Sequence, residues 1–258
     1  IISNLNHPSI MKFIGYNPNN FKFKQKPTII TEFLSNGSLD KVLEMNRIGC
    51  GIPDWDDTKK LINIYGIAAG MSYLHSHDVI HRDLKPSSIL IDDNLNPKIS
   101  KVKHSNFERK TIEPSIYMSP EIIDNCEFSK SSDVYAFSII MYELLTNEKP
   151  FNGFNLFEIP TKIKSGYRPI FNKEIPESYQ KLIVSCWSEK PSNRPTFDEI
   201  VNRLKNDRGF ITEKVDEAEF LKYVNYINQY NVTYDQTKNL NCLDLLYKMA
   251  KQKELPTQ

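Results

Sequence analysis

Hydrophobic and polar positions alternate loosely from Ile10 to Tyr16, and a β-branched apolar run extends from Pro27 to Phe33. Both patterns predict strands, neighbours in one small sheet. Asn36-Gly37 breaks the second strand, and Ser38 is placed to cap a short helix with Leu39, Val42 and Leu43 on one face. Asp56 or Asp57 opens a longer helix in which Leu61, Ile64, Ile67, Ala68, Met71 and Leu74 recur at intervals of three and four. That spacing predicts an amphipathic stripe ending near His77. Between Val79 and Ile99 the pattern shortens to VIHRDL, SSILID and PKIS, broken by Pro86, Asp92-Asp93-Asn94 and Pro97, which predicts two small strands around loops. No period holds from Lys101 to Pro120. Helices are predicted again over Ser131 to Thr146, Glu177 to Trp187 and Thr196 to Lys205, the last with Thr196 and Glu199 spaced as a capping box. Pro160 either starts or kinks a helix spanning Asn155 to Lys164.

The tail changes character after Asp207. Two amphipathic stretches, Glu217 to Tyr230 and Asn241 to Lys251, flank the polar NVTYDQTKN, and no internal repeat is visible. The tail either docks on the preceding domain or begins a helical module that continues past Gln258. With 258 residues the chain can bury a sizeable core. Its 40% apolar, 25% charged and 11% aromatic residues place it with ordinary globular proteins, away from disordered and collagenous classes. A net charge of +1 forces no face to be basic, so neither nucleic acid nor an anionic membrane is an expected partner. The most apolar stretch, Ala136 to Leu145, is interrupted by Ser138, Tyr142 and Glu143 and falls far short of the roughly 20 residues that cross a bilayer. Cys50, Cys126, Cys186 and Cys242 are scattered, without the spacing of a metal site, and read as reduced thiols. No signal-peptide pattern follows Ile1, so the expectation is a cytoplasmic protein, and one incomplete at its front.

His81-Arg82-Asp83-Leu84-Lys85-Pro86 resembles the catalytic loop of eukaryotic protein kinases, and the match extends in order on both sides. Leu5-Asn6-His7-Pro8-Ser9-Ile10 is similar to the segment joining the regulatory helix to the fourth strand. Thr31-Glu32-Phe33-Leu34 with Asn36-Gly37-Ser38-Leu39 resembles the hinge, Thr31 standing in the gatekeeper place. Tyr117-Met118-Ser119-Pro120-Glu121 resembles the motif closing the activation segment, and Ser132-Asp133-Val134-Tyr135-Ala136-Phe137 the central buried helix. Cys186-Trp187 and Arg194-Pro195-Thr196-Phe197 resemble the end of the large lobe. The resemblance implies an α+β, protein-kinase-like fold: a partial N-lobe β-sheet and a mainly helical C-lobe over residues 1–206, then a helical C-terminal extension over 207–258. Lys85-Pro86 has the serine/threonine form and the Cys186-Trp187 region is closer to tyrosine kinases, a mixture found in the tyrosine-kinase-like group.

Phosphoryl transfer needs the triphosphate clamped, its charge neutralised by magnesium and the acceptor hydroxyl aimed. By the resemblance, Asp83 is the catalytic base, Lys85 meets the γ-phosphate, and Thr31, Glu32, Leu34 and Leu90 contact the nucleotide. The metal positions are altered. Where the family has an asparagine, five residues after the catalytic aspartate, this chain has Ser88; where it has the metal-binding aspartate, this chain has Lys101, followed by Val102 and Lys103. Unit charges about 4 Å apart at an effective dielectric near 20 interact by about 4 kcal/mol, and a divalent ion would feel roughly twice that as repulsion. The threonine that would bridge aspartate and lysine is Pro114. No residue present stands for the glycine-rich loop or the strand lysine of the family.

The structural positions are filled. By the resemblance, Asp133 is placed to accept hydrogen bonds from the catalytic-loop backbone and Glu121 to pair with Arg194, and His81 and Arg82 are structural positions too. His75 and His81 read as packing and hydrogen-bonding residues and not as metal ligands. The sequence therefore points to a pseudokinase, a binding or regulatory module in signalling with protein partners and with ATP as a candidate ligand by resemblance. The losses argue against magnesium. The alternative is an active ATP-dependent serine/threonine kinase with atypical metal use and a protein substrate.

Overall fold

The computed structural model describes residues 5–17, 28–101 and 115–237, with the side chains of 231–237 left aside. Pro27, the residues 102–114 that include Lys103 and Pro114, and the second amphipathic stretch with Cys242 lie outside the described residues. The described architecture is α+β, with small two-stranded sheets and a mainly helical remainder. Strands β1 (Phe13–Asn17) and β2 (Thr28–Thr31) pair antiparallel, Tyr16 opposite Ile29, with a bulge between Phe13 and Gly15. One face of this ribbon, bearing Ile14, Tyr16 and Ile29, is exposed. Strands β3 (Ile89–Ile91) and β4 (Pro97–Ile99) form a second antiparallel pair, and Ile10 bridges to Ile99.

The helices follow the sequence pattern with physical exceptions. α1 (Leu39–Arg47) buries Leu39, Val42 and Leu43, and Ser38 occupies the N-cap position without a side-chain bond to the helix. α2 (Asp57–Ser76) is opened by Asp56, whose carboxylate accepts from the Lys59 amide at 2.8 Å. The predicted stripe on α2 is too narrow a description: Ile62, Asn63, Tyr65 and Gly66 are buried as well as the spaced apolar set, so the helix is enclosed on nearly every side. Each such Leu or Ile contributes about 1.5–3 kcal/mol on burial. α4 (Lys130–Thr146) is enclosed in the same way, its N-terminus closed by reciprocal bonds between Ser129 and Ser132.

α3 (Pro120–Asn125) and α5 (Ile159–Lys164) are short, and Pro160 sits in the first turn of α5, where its missing N–H is harmless. α6 (Glu177–Cys186) ends on a buried thiol, Cys186, which burial pushes up to about 12. α7 (Phe197–Asn206) carries the predicted capping box between Thr196 and Glu199. α8 (Glu217–Thr237) includes most of the polar stretch expected to end it. Phe220, Tyr223, Val224 and Ile227 are buried at helical spacing, so this helix docks on the body.

Two glycines set how closely α2 is approached. A Cβ on Gly66 would lie 2.4 Å from the Tyr223 hydroxyl and 2.6 Å from Pro97, and one on Gly70 would lie 2.7 Å from Ile99. The absence of a side chain at both positions admits β4 and α8 against the helix.

Candidate functional site

The loop between α2 and β3 is held from below by Asp133, near the start of α4. Its Oδ2 accepts from the His81 amide at 2.8 Å and its Oδ1 from the Arg82 amide at 3.0 Å. His75 Nε2 lies 2.9 Å from the same Oδ2. Backbone N–H groups of a turn have no ladder to satisfy them, and a buried carboxylate supplies the acceptors. Arg82 takes a left-handed φ of 67°, which turns the chain toward Asp83.

His81 is fully buried and links two segments. Its Nδ1 accepts from the Asp83 amide at 3.3 Å, so Nε2 carries the proton and donates to the Ser100 carbonyl at 2.9 Å. Asp83 and Lys85 face each other, Nζ to Oδ1 at 3.0 Å, with both side chains partly open to solvent. Ser88 is buried, and its hydroxyl is committed locally: it donates to the Lys85 carbonyl at 2.8 Å and accepts from the Lys85 amide at 3.1 Å. The Ser88 carbonyl takes two donors from Ser100, its amide at 2.8 Å and its hydroxyl at 2.9 Å.

Lys101 follows directly. It is exposed, takes a left-handed φ of 59°, and donates from Nζ to the Ser87 carbonyl at 2.9 Å. A hard divalent cation wants carboxylate, carbonyl and water oxygens. Around Asp83 the described residues offer one carboxylate already paired with Lys85, a hydroxyl turned onto backbone, and an ammonium, a donor set that does not fit magnesium. Among the described residues no cluster of three His, Cys, Asp or Glu side chains could hold a metal ion.

The four nucleotide candidates lie at the end of β2, in the segment that follows it, and in β3. Thr31 pairs with Phe13 at the end of β2; Glu32 Oε1 accepts from the Lys12 amide at 2.7 Å and faces Lys98 Nζ at 3.6 Å. Leu34 and Leu90 are half-buried, and Leu90 bridges to Ser38 at the start of α1.

Glu121 and Arg194 form a two-pronged pair, Nη1–Oε1 at 2.6 Å and Nη2–Oε2 at 2.9 Å, with the arginine side chain fully buried. Its Nε also donates to the Ser188 carbonyl and its Nη1 to the Ser131 carbonyl. Burial pushes the Glu121 carboxyl up, but the hydrogen bonds and charge of Arg194 outweigh it and hold the group below its ordinary value.

A second polar cluster escaped the sequence reading. The Tyr117 hydroxyl donates to Glu143, whose other oxygen meets Arg47 Nη2 at 2.6 Å, tying the end of the activation segment to α4 and α1. Burial raises the Glu143 carboxyl despite both partners, and raises Tyr117 well above its usual value. The available signal was Glu143 itself, a charge inside an otherwise apolar helix, which needs a partner when buried.

A buried central helix receiving the loop amides through Asp133, and a carboxylate–guanidinium pair locking the end of the activation segment, define a protein-kinase fold. The chain matches the family model described as protein tyrosine and serine/threonine kinase over residues 1–204, and it belongs to that family. It is 34% identical over 217 residues to a protein of Acanthamoeba polyphaga mimivirus provisionally named serine/threonine-protein kinase/receptor R818, covering 81% of this chain and 12% of that one. It is 34% identical over 217 residues to the Dictyostelium discoideum serine/threonine-protein kinase drkC, with 80% and 28% covered. A LIM domain-containing serine/threonine-protein kinase of the same organism is 33% identical over 215 residues, with 81% and 32% covered. The chain therefore spans less than a third of the length of each of these relatives. No helix among the described residues is long and apolar enough to cross a membrane.

Proposed function

We propose that this chain is a pseudokinase of the tyrosine-kinase-like group, a kinase-fold module that works in signalling by docking protein partners or regulating an attached domain. The observation that carries the reading is the donor set around Asp83. Lys101 brings a cation to the head of the activation segment, and Ser88 spends its hydroxyl on the Lys85 backbone, so the charge that would collect a metal is reversed. The structural contacts of Asp133 and of Glu121 with Arg194 are intact by contrast, which supports a role for the folded surface itself. The exposed thiols of Cys50 and Cys126 are free, in keeping with a reducing, cytoplasmic setting. ATP stays a candidate ligand because Thr31, Glu32, Leu34 and Leu90 occupy the hinge and β3.

The retained Asp83–Lys85 pair favours one rival, a serine/threonine kinase with atypical metal use. A phosphotransfer assay on the full-length protein separates the two. The module reading expects turnover at background in the wild type and in Asp83→Asn alike; turnover that this single change abolishes would establish the enzyme and sink the module.

A further inference from the structure

The docked tail helix does more than cover apolar surface. α8 lies outside the stretch matched by the family model, which ends at residue 204. Its buried residues Phe220, Tyr223, Val224 and Ile227 lie against α2, where Tyr65 meets Phe220 edge-on at 5.6 Å and Tyr223 at 6.3 Å. At its start the Asp216 amide donates to Thr58 Oγ1 at 2.9 Å and Glu219 pairs with Lys59 at 2.6 Å. The Tyr223 hydroxyl fills the space left by the missing side chain of Gly66 and there shares a buried hydrogen bond of 3.1 Å with Ser9 Oγ.

Ser9 is 214 residues away in sequence and belongs to the segment that leads into β1. Its backbone is woven into β4: the Ser9 carbonyl accepts from the Ile99 amide at 2.7 Å, and the Ile99 carbonyl from the Met11 amide at 2.9 Å. The next residue after Ile99 is Ser100, which is bonded to His81 and Ser88 in the loop that carries Asp83, and the one after that is Lys101. Two buried hydroxyls that each need a partner fix the position of Ser9 in a way an apolar pair would not, because a displaced Ser9 leaves both unsatisfied, at about 1–3 kcal/mol for each buried group, the equivalent of roughly 5- to 150-fold in an opening equilibrium.

We infer that α8 is a brace that holds β4 and the start of the activation segment in place, with Tyr223 and Ser9 as its positioning residues. Tyr223 reaches the Asp83 region only through this chain of contacts, Ser9 to Ile99 to Ser100, and touches none of the loop itself. The inference stands whether the loop binds, catalyses or does neither.

Amide hydrogen exchange on the full chain tests it. In Tyr223→Phe, which keeps the ring, the amides of Ile99 and Met11 should exchange about fivefold faster, the equivalent of one hydrogen bond, while the amides of α6 keep their wild-type rates. Ser9→Ala, which keeps the backbone, should reproduce that local change. The double variant should open these two amides no more than either single one, since both remove the same bond. Unchanged rates at Ile99 and Met11 in both single variants overturn the brace. So does acceleration by one common factor in β4 and α6, which would mean that the pair only adds global stability, and so does strict additivity in the double variant.

Discussion

At the scale of single residues, charge that holds the fold is distinct from charge at the proposed site. Glu121 is of the first kind. Its pairing with Arg194 keeps the folded carboxyl below the ordinary value of 4.5, so the folded state favours the ionised form. The sign follows: this contribution is complete above the unfolded value and is lost as pH falls through the lower folded value. Glu121→Gln leaves the buried Arg194 without an anion at any pH, a loss of about 3–5 kcal/mol for a buried pair broken on one side. In thermal melts at pH 7 the variant should therefore unfold well below the wild type, and the gap should narrow as pH falls below 4.5 and on through the lower folded value, where the native carboxyl gives up its charge. A gap that is the same at both ends of that range would mean the pair contributes nothing. Lys101 is the opposite case: it donates to one carbonyl at the surface, so its substitution should hardly change stability.

At the scale of elements, what the sequence revealed depended on range. The capping box of α7 and the proline at the start of α5 were legible because each is settled within four residues. The strands were legible as apolar runs, and among the described residues they pair over Phe13–Asn17 and Thr28–Thr31. α2 was found and misjudged, because spacing shows which residues must be inside and says little about a helix that neighbours enclose from all sides. The bonds from Glu143 to Tyr117 and Arg47 join residues 26 and 96 apart, beyond any periodicity. Gly66 makes the same point as a test. On an exposed helix, Gly→Ala would gain about 1 kcal/mol from propensity. Here the added carbon would sit 2.4 Å from the Tyr223 hydroxyl and 2.6 Å from a proline ring. Overpacking of that kind costs about 1–3 kcal/mol, so Gly66→Ala should lower the urea midpoint at unchanged slope. A raised midpoint would show that β4 and α8 yield readily to the extra carbon.

At the scale of the whole molecule, the kinase fold was readable from motifs in order, since each marks a junction the large lobe needs, while the docking of the tail was not readable at all. Nothing local distinguishes an amphipathic helix that packs on its own domain from one that awaits a further module. The answer lies in the two glycines of α2, whose role appears only once Tyr223 is seen to occupy the space beside Gly66, and Ile99 and Ser9 that beside Gly70. It also sets how the molecule unfolds. α8 is 21 residues long, and a lone helix of that length without strong propensity is marginal in water, so its order comes from the face packed on α2. Phe220, Val224 and Ile227 would each forfeit about 1.5–3 kcal/mol if the helix detached, more than its own backbone can replace. The helix and the lobe should therefore melt together. The two tryptophans, Trp55 before α2 and Trp187 after α6, report the lobe by fluorescence, and far-ultraviolet circular dichroism reports the helices, α8 among them. Coincident transitions by the two probes are the expected result. A helical loss that precedes the tryptophan transition would mean that α8 is a separate, weakly held unit, and the coupling of the two chain ends through Ser9 and Tyr223 would then be too weak to brace anything.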